Sequence, residues 1–121
     1  MTVGRILTSA LGGALLVNAV PHGVSGVQGR PFPTPFADPP GVGLSSPRVN
    51  VAWGAANAVA GVLVLALRRG IRSPGEAVAV AAGGVVTAVV LAQHFGSVQS
   101  GGTGLRGRLR SSNGARPSRF Q

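Results

Sequence analysis

The stretches SPRVNVAWGAANAVAGVLVLALRR (residues 46–69) and SPGEAVAVAAGGVVTAVVLAQHFG (residues 73–96) decide the fold. Each opens on Ser-Pro, a capping side chain followed by the residue best suited to the first helical position. Each then stays apolar for about 20 residues, which at 1.5 Å per residue crosses a hydrocarbon core about 30 Å thick. The pattern predicts membrane spans over 47–69 and 74–96. Arg68 and Arg69 close the first of these, where they complement the helix dipole and can snorkel to headgroups, and Gly70 follows as a C-cap residue. Ser73-Pro74-Gly75-Glu76 reads as a capping box, with Ser73 as cap and Glu76 reaching back to the cap N–H. That role is favoured over a catalytic acid for Glu76. The second stretch is only weakly hydrophobic, so it is expected to insert together with the first as a hairpin about the Arg68–Pro74 turn. The hairpin is read as the architectural unit.

Working toward the N-terminus, a shorter apolar run covers residues 3–20, with Thr2 as its cap and Pro21 limiting its continuation. Arg5 ahead of this run and the small residues near Val17-Asn18-Ala19 also fit a signal sequence with a cleavage point. The polar, His-containing continuation favours an uncleaved first span. Between the first and second spans, residues 21–46 have no apolar periodicity and hold most of the chain's nine prolines, so helix and central strand are excluded there. An irregular Pro-rich loop is expected, anchored at the membrane interface by Phe32 and Phe36. Beyond Gly96, residues 97–121 are rich in Arg, Gly and Ser and read as a disordered tail. The fold class is therefore all-α: a membrane domain over 1–96 with a three-span transmembrane helical bundle, the Pro-rich loop and the tail.

Composition agrees. A chain of 121 residues holds one domain, and its mean hydropathy is positive despite the loop and tail. Four Phe, one Trp and no Tyr are few for a water-soluble core, whereas 20 Gly suit helices that approach closely in lipid. No cysteine is present, which removes disulfides, thiolate metal sites and thiol nucleophiles. All 11 basic residues are Arg, set against Asp38 and Glu76. On a membrane protein that excess points to topology and anionic lipid headgroups before nucleic acid. Positive-inside logic places Arg5, Arg68, Arg69 and Arg72 in the cytoplasm and the loop outside; the tail arginines pull the other way.

Polar residues inside apolar segments mark places where partners are needed. Asn50, Gly54, Asn57 and Gly61 share one face of the second helix, bordered by Trp53. Gly84, Thr87, Leu91 and His94 share a face of the third, and Gly12, Gly13 and Asn18 belong to the first. Together they predict a small-residue, polar seam between tightly packed helices. His22 and His94 end the first and third segments at the same membrane face, with Asp38 in the loop covering it, so His22, Asp38 and His94 are the candidate metal ligands. The three lack close spacing, and no cofactor is called for. Paired acids, a Ser-His-Asp order and a Walker-type glycine loop are missing from the sequence.

The pattern Asn18-x-x-Pro21-His22, Gly29, Phe32-Pro33-x-Pro35-Phe36-x-x-Pro39, Ser45-Ser46, Asn50-x-x-Trp53-Gly54-x-x-Asn57 and Ala92-Gln93-His94-Phe95-Gly96 resembles a family of small uncharacterised bacterial integral membrane proteins. The resemblance covers about residues 5–96 and implies a multi-pass location in the bacterial inner membrane without implying an activity. The Arg-rich tail departs from it. Taken together, the sequence points to a non-enzymatic scaffold or accessory subunit that packs against itself as a homo-oligomer or against a larger membrane partner. The alternatives are an oligomeric solute or ion pathway lined by Asn and His, and a metal-dependent membrane enzyme.

Overall fold

A computed structural model describes residues 2–105, 107, 109 and 110. The elements in chain order are α1 (Val3–Val27), β1 (Phe32–Pro33), β2 (Leu44–Ser45), α2 (Pro47–Ala66) and α3 (Pro74–Gln99). All three helices are long and apolar enough to cross a membrane. Their starts are those expected from the caps. Thr2 Oγ1 accepts the Arg5 N–H at 3.3 Å, Ser46 Oγ the Val49 N–H at 3.3 Å, and Ser73 Oγ the Glu76 N–H at 3.2 Å.

Several expectations need correction. Pro21 does not end the first helix; α1 continues through it to Val27, so the loop spans 28–46 instead of 21–46. Proline removes one backbone donor, a loss that neighbouring groups absorb in a packed membrane bundle. α2 stops at Ala66, short of Arg69, and closes in a Schellman turn: Gly70 N–H donates to Leu65 C=O at 3.0 Å and Arg69 N–H to Ala66 C=O at 2.9 Å. The left-handed residue this turn requires is Arg69, at φ 62°, one position ahead of the expected Gly70. α3 runs to Gln99, past Gly96, and Leu105, Gly107, Leu109 and Arg110 are helical. The disordered-tail expectation therefore fails for those positions; the rest of the tail lies outside the described residues. The loop is irregular apart from a two-stranded antiparallel ladder pairing Phe32 with Ser45 and Pro33 with Leu44.

The α2–α3 hairpin is not the unit of packing. α1 lies between the other two helices and packs along both, while α2 and α3 make at most passing contact with each other. Glycine explains why α1 can serve two neighbours. A Cβ at Gly12 would strike the Leu65 side chain of α2, while one at the adjacent Gly13 would strike the Val80 carbonyl of α3. Farther along, Gly54 lets α2 approach the α1 backbone so closely that an added Cβ would sit 2.7 Å from Gly23 N and 3.1 Å from Ala19 O. Close backbone approach of this kind is how helices associate in lipid, where the hydrophobic effect offers no drive.

Burial is inverted relative to a water-soluble protein. The buried side chains are mostly polar: Ser9, His22, Ser25, Thr34, Asn50, Asn57, Glu76 and Ser97, against Phe32 and Ala79 as buried apolar ones. Large apolar residues line the perimeter instead, among them Leu7, Val59, Val62, Val78, Val85 and Val89. In water such a surface would aggregate. Surrounded by hydrocarbon, it is the expected exterior of a multi-pass membrane protein.

Candidate functional site

The polar seam converges at the loop end of the bundle, on Asn50. Its position one turn into α2 puts the side chain against both α1 and the loop, and the residue is fully buried. Asn50 Nδ2 donates to Phe32 C=O at 3.0 Å, Ser45 C=O at 3.2 Å and Ser46 C=O at 3.1 Å, tying both strands of the loop to α2. That arrangement turns Asn50 Oδ1 toward His22 Nδ1, 2.9 Å away. With an acceptor opposite it, Nδ1 carries the ring hydrogen, which leaves Nε2 as a bare lone pair. His22 is 2 % exposed, and no partner for Nε2 is found among the described residues. Edge-on rings of Phe32 (5.5 Å between centroids), Phe95 (5.9 Å) and Trp53 (6.4 Å) surround it.

One turn toward mid-membrane, Asn18 Nδ2 donates to Asn57 Oδ1 at 3.0 Å, and Asn57 Nδ2 donates to Trp53 C=O at 2.9 Å. The seam is thus real, and its amides are spent on bonds within the chain. Gly54 and Gly61 of the same face pack against α1, and Gly84 packs against Val17. Thr87 is half-buried beside Ala10 and Leu11.

His94 comes to the same end from α3. Its Nε2 donates to Gly41 C=O at 2.8 Å, and its Nδ1 accepts the Leu105 N–H at a long 3.4 Å. Both ring nitrogens face backbone, so neither lone pair is turned toward His22. Asp38 sits in the loop beside Gly43 and does not join the two imidazoles. Among the described residues no group of three His, Cys, Asp or Glu side chains could hold a metal ion. The trio His22, Asp38 and His94 is therefore not brought together: the bundle carries the two histidines to one end but points their nitrogens at different partners.

What His22 and His94 do share is a cavity of about 180 Å³ between the loop and the helices, lined also by Asn18, Thr34, Leu91 and Phe95. Its surface is almost wholly apolar. His22 Nε2 and Asn18 Oδ1 are both without donors among the described residues, and the Gly41 carbonyl lies at its rim. A larger apolar groove of about 520 Å³ runs down the α1–α3 face beside it, past Val17, Val20, Pro21, Ala88, Ala92 and Gly96. Leu91 and Phe95 form walls of both spaces.

A second polar cluster, at the opposite end, escapes a reading by motif. Glu76 is buried, and its carboxylate pairs with Arg5 through Nε–Oε1 and through Nη2–Oε2 at 3.0 Å, besides accepting the Arg72 N–H at 2.8 Å. Arg5 also donates to the carbonyls of Arg68 and Gly70, at 3.1 and 3.2 Å, and Arg68 Nη1 donates to Ser9 Oγ at 3.0 Å. The Glu76 carboxylate, expected to reach back to the cap N–H of Ser73, takes the Arg72 N–H and the Arg5 guanidinium, and so clamps the start of α1 to the α2–α3 turn. The one sequence signal was the isolation of a single acid among arginines. No family model, curated protein or solved structure matches this chain.

Proposed function

We propose that this protein is a non-enzymatic scaffold or accessory subunit of the bacterial inner membrane, whose bundle holds the loop as a fixed docking surface at the extracytoplasmic face. The Asn50 node carries this reading. One buried amide bonds to α1 and to both loop strands, so the loop is presented in a single conformation. Phe36 and Leu44 stand out from it, 58 % and 66 % exposed, as apolar contacts for a larger membrane protein or a second copy. The glycine faces, which the sequence offers for association, are occupied within the chain, and this shifts the proposed contact from the helices to the loop. The N-terminus and the Arg68–Arg72 turn meet at one end through Arg5, and positive-inside logic makes that end cytoplasmic.

The test is photocrosslinking in native membranes, with a benzophenone side chain at position 36. A discrete adduct, lost when the probe is moved to Val59 on the lipid-facing side of α2, is the expected outcome. A chain that stays monomeric, with no adduct from Phe36 or Leu44, overturns the proposal. The resemblance to small bacterial membrane proteins supports the location and adds nothing on activity.

A further inference from the structure

At the loop end of the bundle, backbone holds the His94 ring from two sides. Its Nε2 lies 2.8 Å from Gly41 C=O in the loop, and its Nδ1 lies 3.4 Å from the N–H of Leu105, where the helical segment after α3 begins. A carbonyl can only accept, so the neutral ring carries its hydrogen on Nε2 and turns the Nδ1 lone pair to Leu105. The main chain is shaped to the ring on both sides. Gly41 and Gly104 both have left-handed backbone, at φ 72° and 81°. A Cβ on Gly104 would sit 2.5 Å from Nδ1, and one on Gly41 would sit 3.3 Å from Nε2. Gly104 is itself buried. The contact with the segment thus rests on close fit as well as on the long Leu105 bond.

The two bonds respond oppositely to a proton. Imidazolium carries a hydrogen on both nitrogens. Nε2–H still donates to Gly41 C=O, and the added charge strengthens that bond. Nδ1–H, by contrast, points at the Leu105 N–H, donor against donor, with Gly104 packed against the same ring edge. No carboxylate pairs with His94 among the described residues to offset the charge. Of the titratable groups on the elements around it, His22 of α1 lines the same small cavity and bonds to Asn50. The loop brings Arg30 and Asp38, and the segment brings Arg106, Arg108 and Arg110 by sequence. Those arginines make the segment cationic, and like charges repel.

We infer that His94 is a proton-operated latch: neutral, it holds the segment that starts at Leu105 against the loop; protonated, it releases the segment and keeps Gly41. Histidine is the side chain whose charge changes between pH 5 and 8, and the latch lies at the end assigned to the outside. Release opens the cleft of about 400 Å³ walled by Pro35, Pro40, Thr103 and Leu105, on the side of the loop next to Phe36. Its use in regulating docking rests on the docking role proposed for the loop; the latch itself does not.

The full chain in lipid nanodiscs tests the latch. It has no cysteine, so Leu44→Cys and Arg110→Cys, at two exposed positions, take the only spin labels. Double electron–electron resonance should give one narrow distance distribution at pH 8 and a broad, longer one at pH 5. The ratio of held to released segment should fall by up to about tenfold per pH unit, as one proton requires. Trp53 emission, which reports Phe36 packing, should not follow the change, because the Gly41 bond persists. His94→Gln offers an amide donor and acceptor without titrating, and should keep the narrow distribution at both pH values. An unchanged distribution in the labelled parent chain overturns the inference, as does a pH response that survives His94→Gln. So does a Trp53 emission change with the same midpoint, since the loop would then be moving too. Should His94→Gln not fold, histidine NMR of the parent chain decides: the midpoint of the His94 ring signal must coincide with that of the distance change, and separate midpoints reject the latch. Failure of position 36 to crosslink defeats the docking role alone and alters none of these readouts.

Discussion

Replacing Asn50 by Leu should detach the loop from the bundle, and the structure sets the size of the effect. The side chain makes hydrogen bonds to His22 Nδ1, Phe32 O, Ser45 O and Ser46 O, at 2.9, 3.0, 3.2 and 3.1 Å. Ser46 C=O keeps the Asn50 backbone N–H at 3.0 Å, so its loss is small. His22 Nδ1–H, by contrast, is left in the interior with no acceptor, which costs about 1–3 kcal/mol, and the two remaining loop bonds are worth about 1 kcal/mol each. The sum is about 3–5 kcal/mol. Asn57→Leu is the internal comparison. It loses one interhelical bond to Asn18 at 3.0 Å and one local bond within α2, for a cost near 0.6 and at most about 2 kcal/mol. Trp53 is the chain's single tryptophan and packs edge-on against Phe36 at 5.3 Å, so its emission reports loop docking directly. Unfolding in mixed micelles of rising dodecyl sulfate content, followed by that emission, should separate the two variants by about 1–2 kcal/mol or more, the gap between the two losses. A cycle with His22→Phe should show coupling, since removing the ring relieves the stranded donor. Equal losses for Asn50→Leu and Asn57→Leu, or strict additivity with His22→Phe, would refute the view that Asn50 is the node.

Other expectations follow from the same geometry. Gly13→Ala drives a methyl into the Val80 carbonyl and should destabilise by about 1–3 kcal/mol, whereas Gly23→Ala, where a Cβ meets nothing within 4 Å, should be neutral or slightly stabilising. Both are read from the same micelle titration. Arg69→Gly removes a side chain from the left-handed region at φ 62° and should raise stability by about 1 kcal/mol; a loss would mean that the arginine head contributes more than the backbone strain costs. Glu76→Gln should free the start of α1 from the turn, seen as faster amide exchange at Arg5–Ser9, while the double change Arg5→Met with Glu76→Met should recover part of the loss because no charge is left buried alone.

The amino-acid sequence by itself determined the three spans, their Ser and Thr caps and the existence of a polar face on α2, because these rest on hydropathy and on hydrogen bonds between residues close in the chain. It misjudged Pro21, since a lost backbone donor ends a helix only where nothing else can absorb the loss. It also misjudged the hairpin. Sequence adjacency made α2 and α3 look like partners, yet α1 is the helix with glycines on two sides, and in lipid the closest backbone approach decides which helices pair. His22 and His94 were placed at the same membrane face from span counting alone. Only the tertiary structure decided that one nitrogen of His22 faces Asn50, that His94 turns to Gly41 and Leu105, and that no metal trio forms with Asp38 among the described residues. The reason is directional: a hydrogen bond fixes where a ring nitrogen points, and that direction comes from residues tens of positions away, which no local pattern encodes.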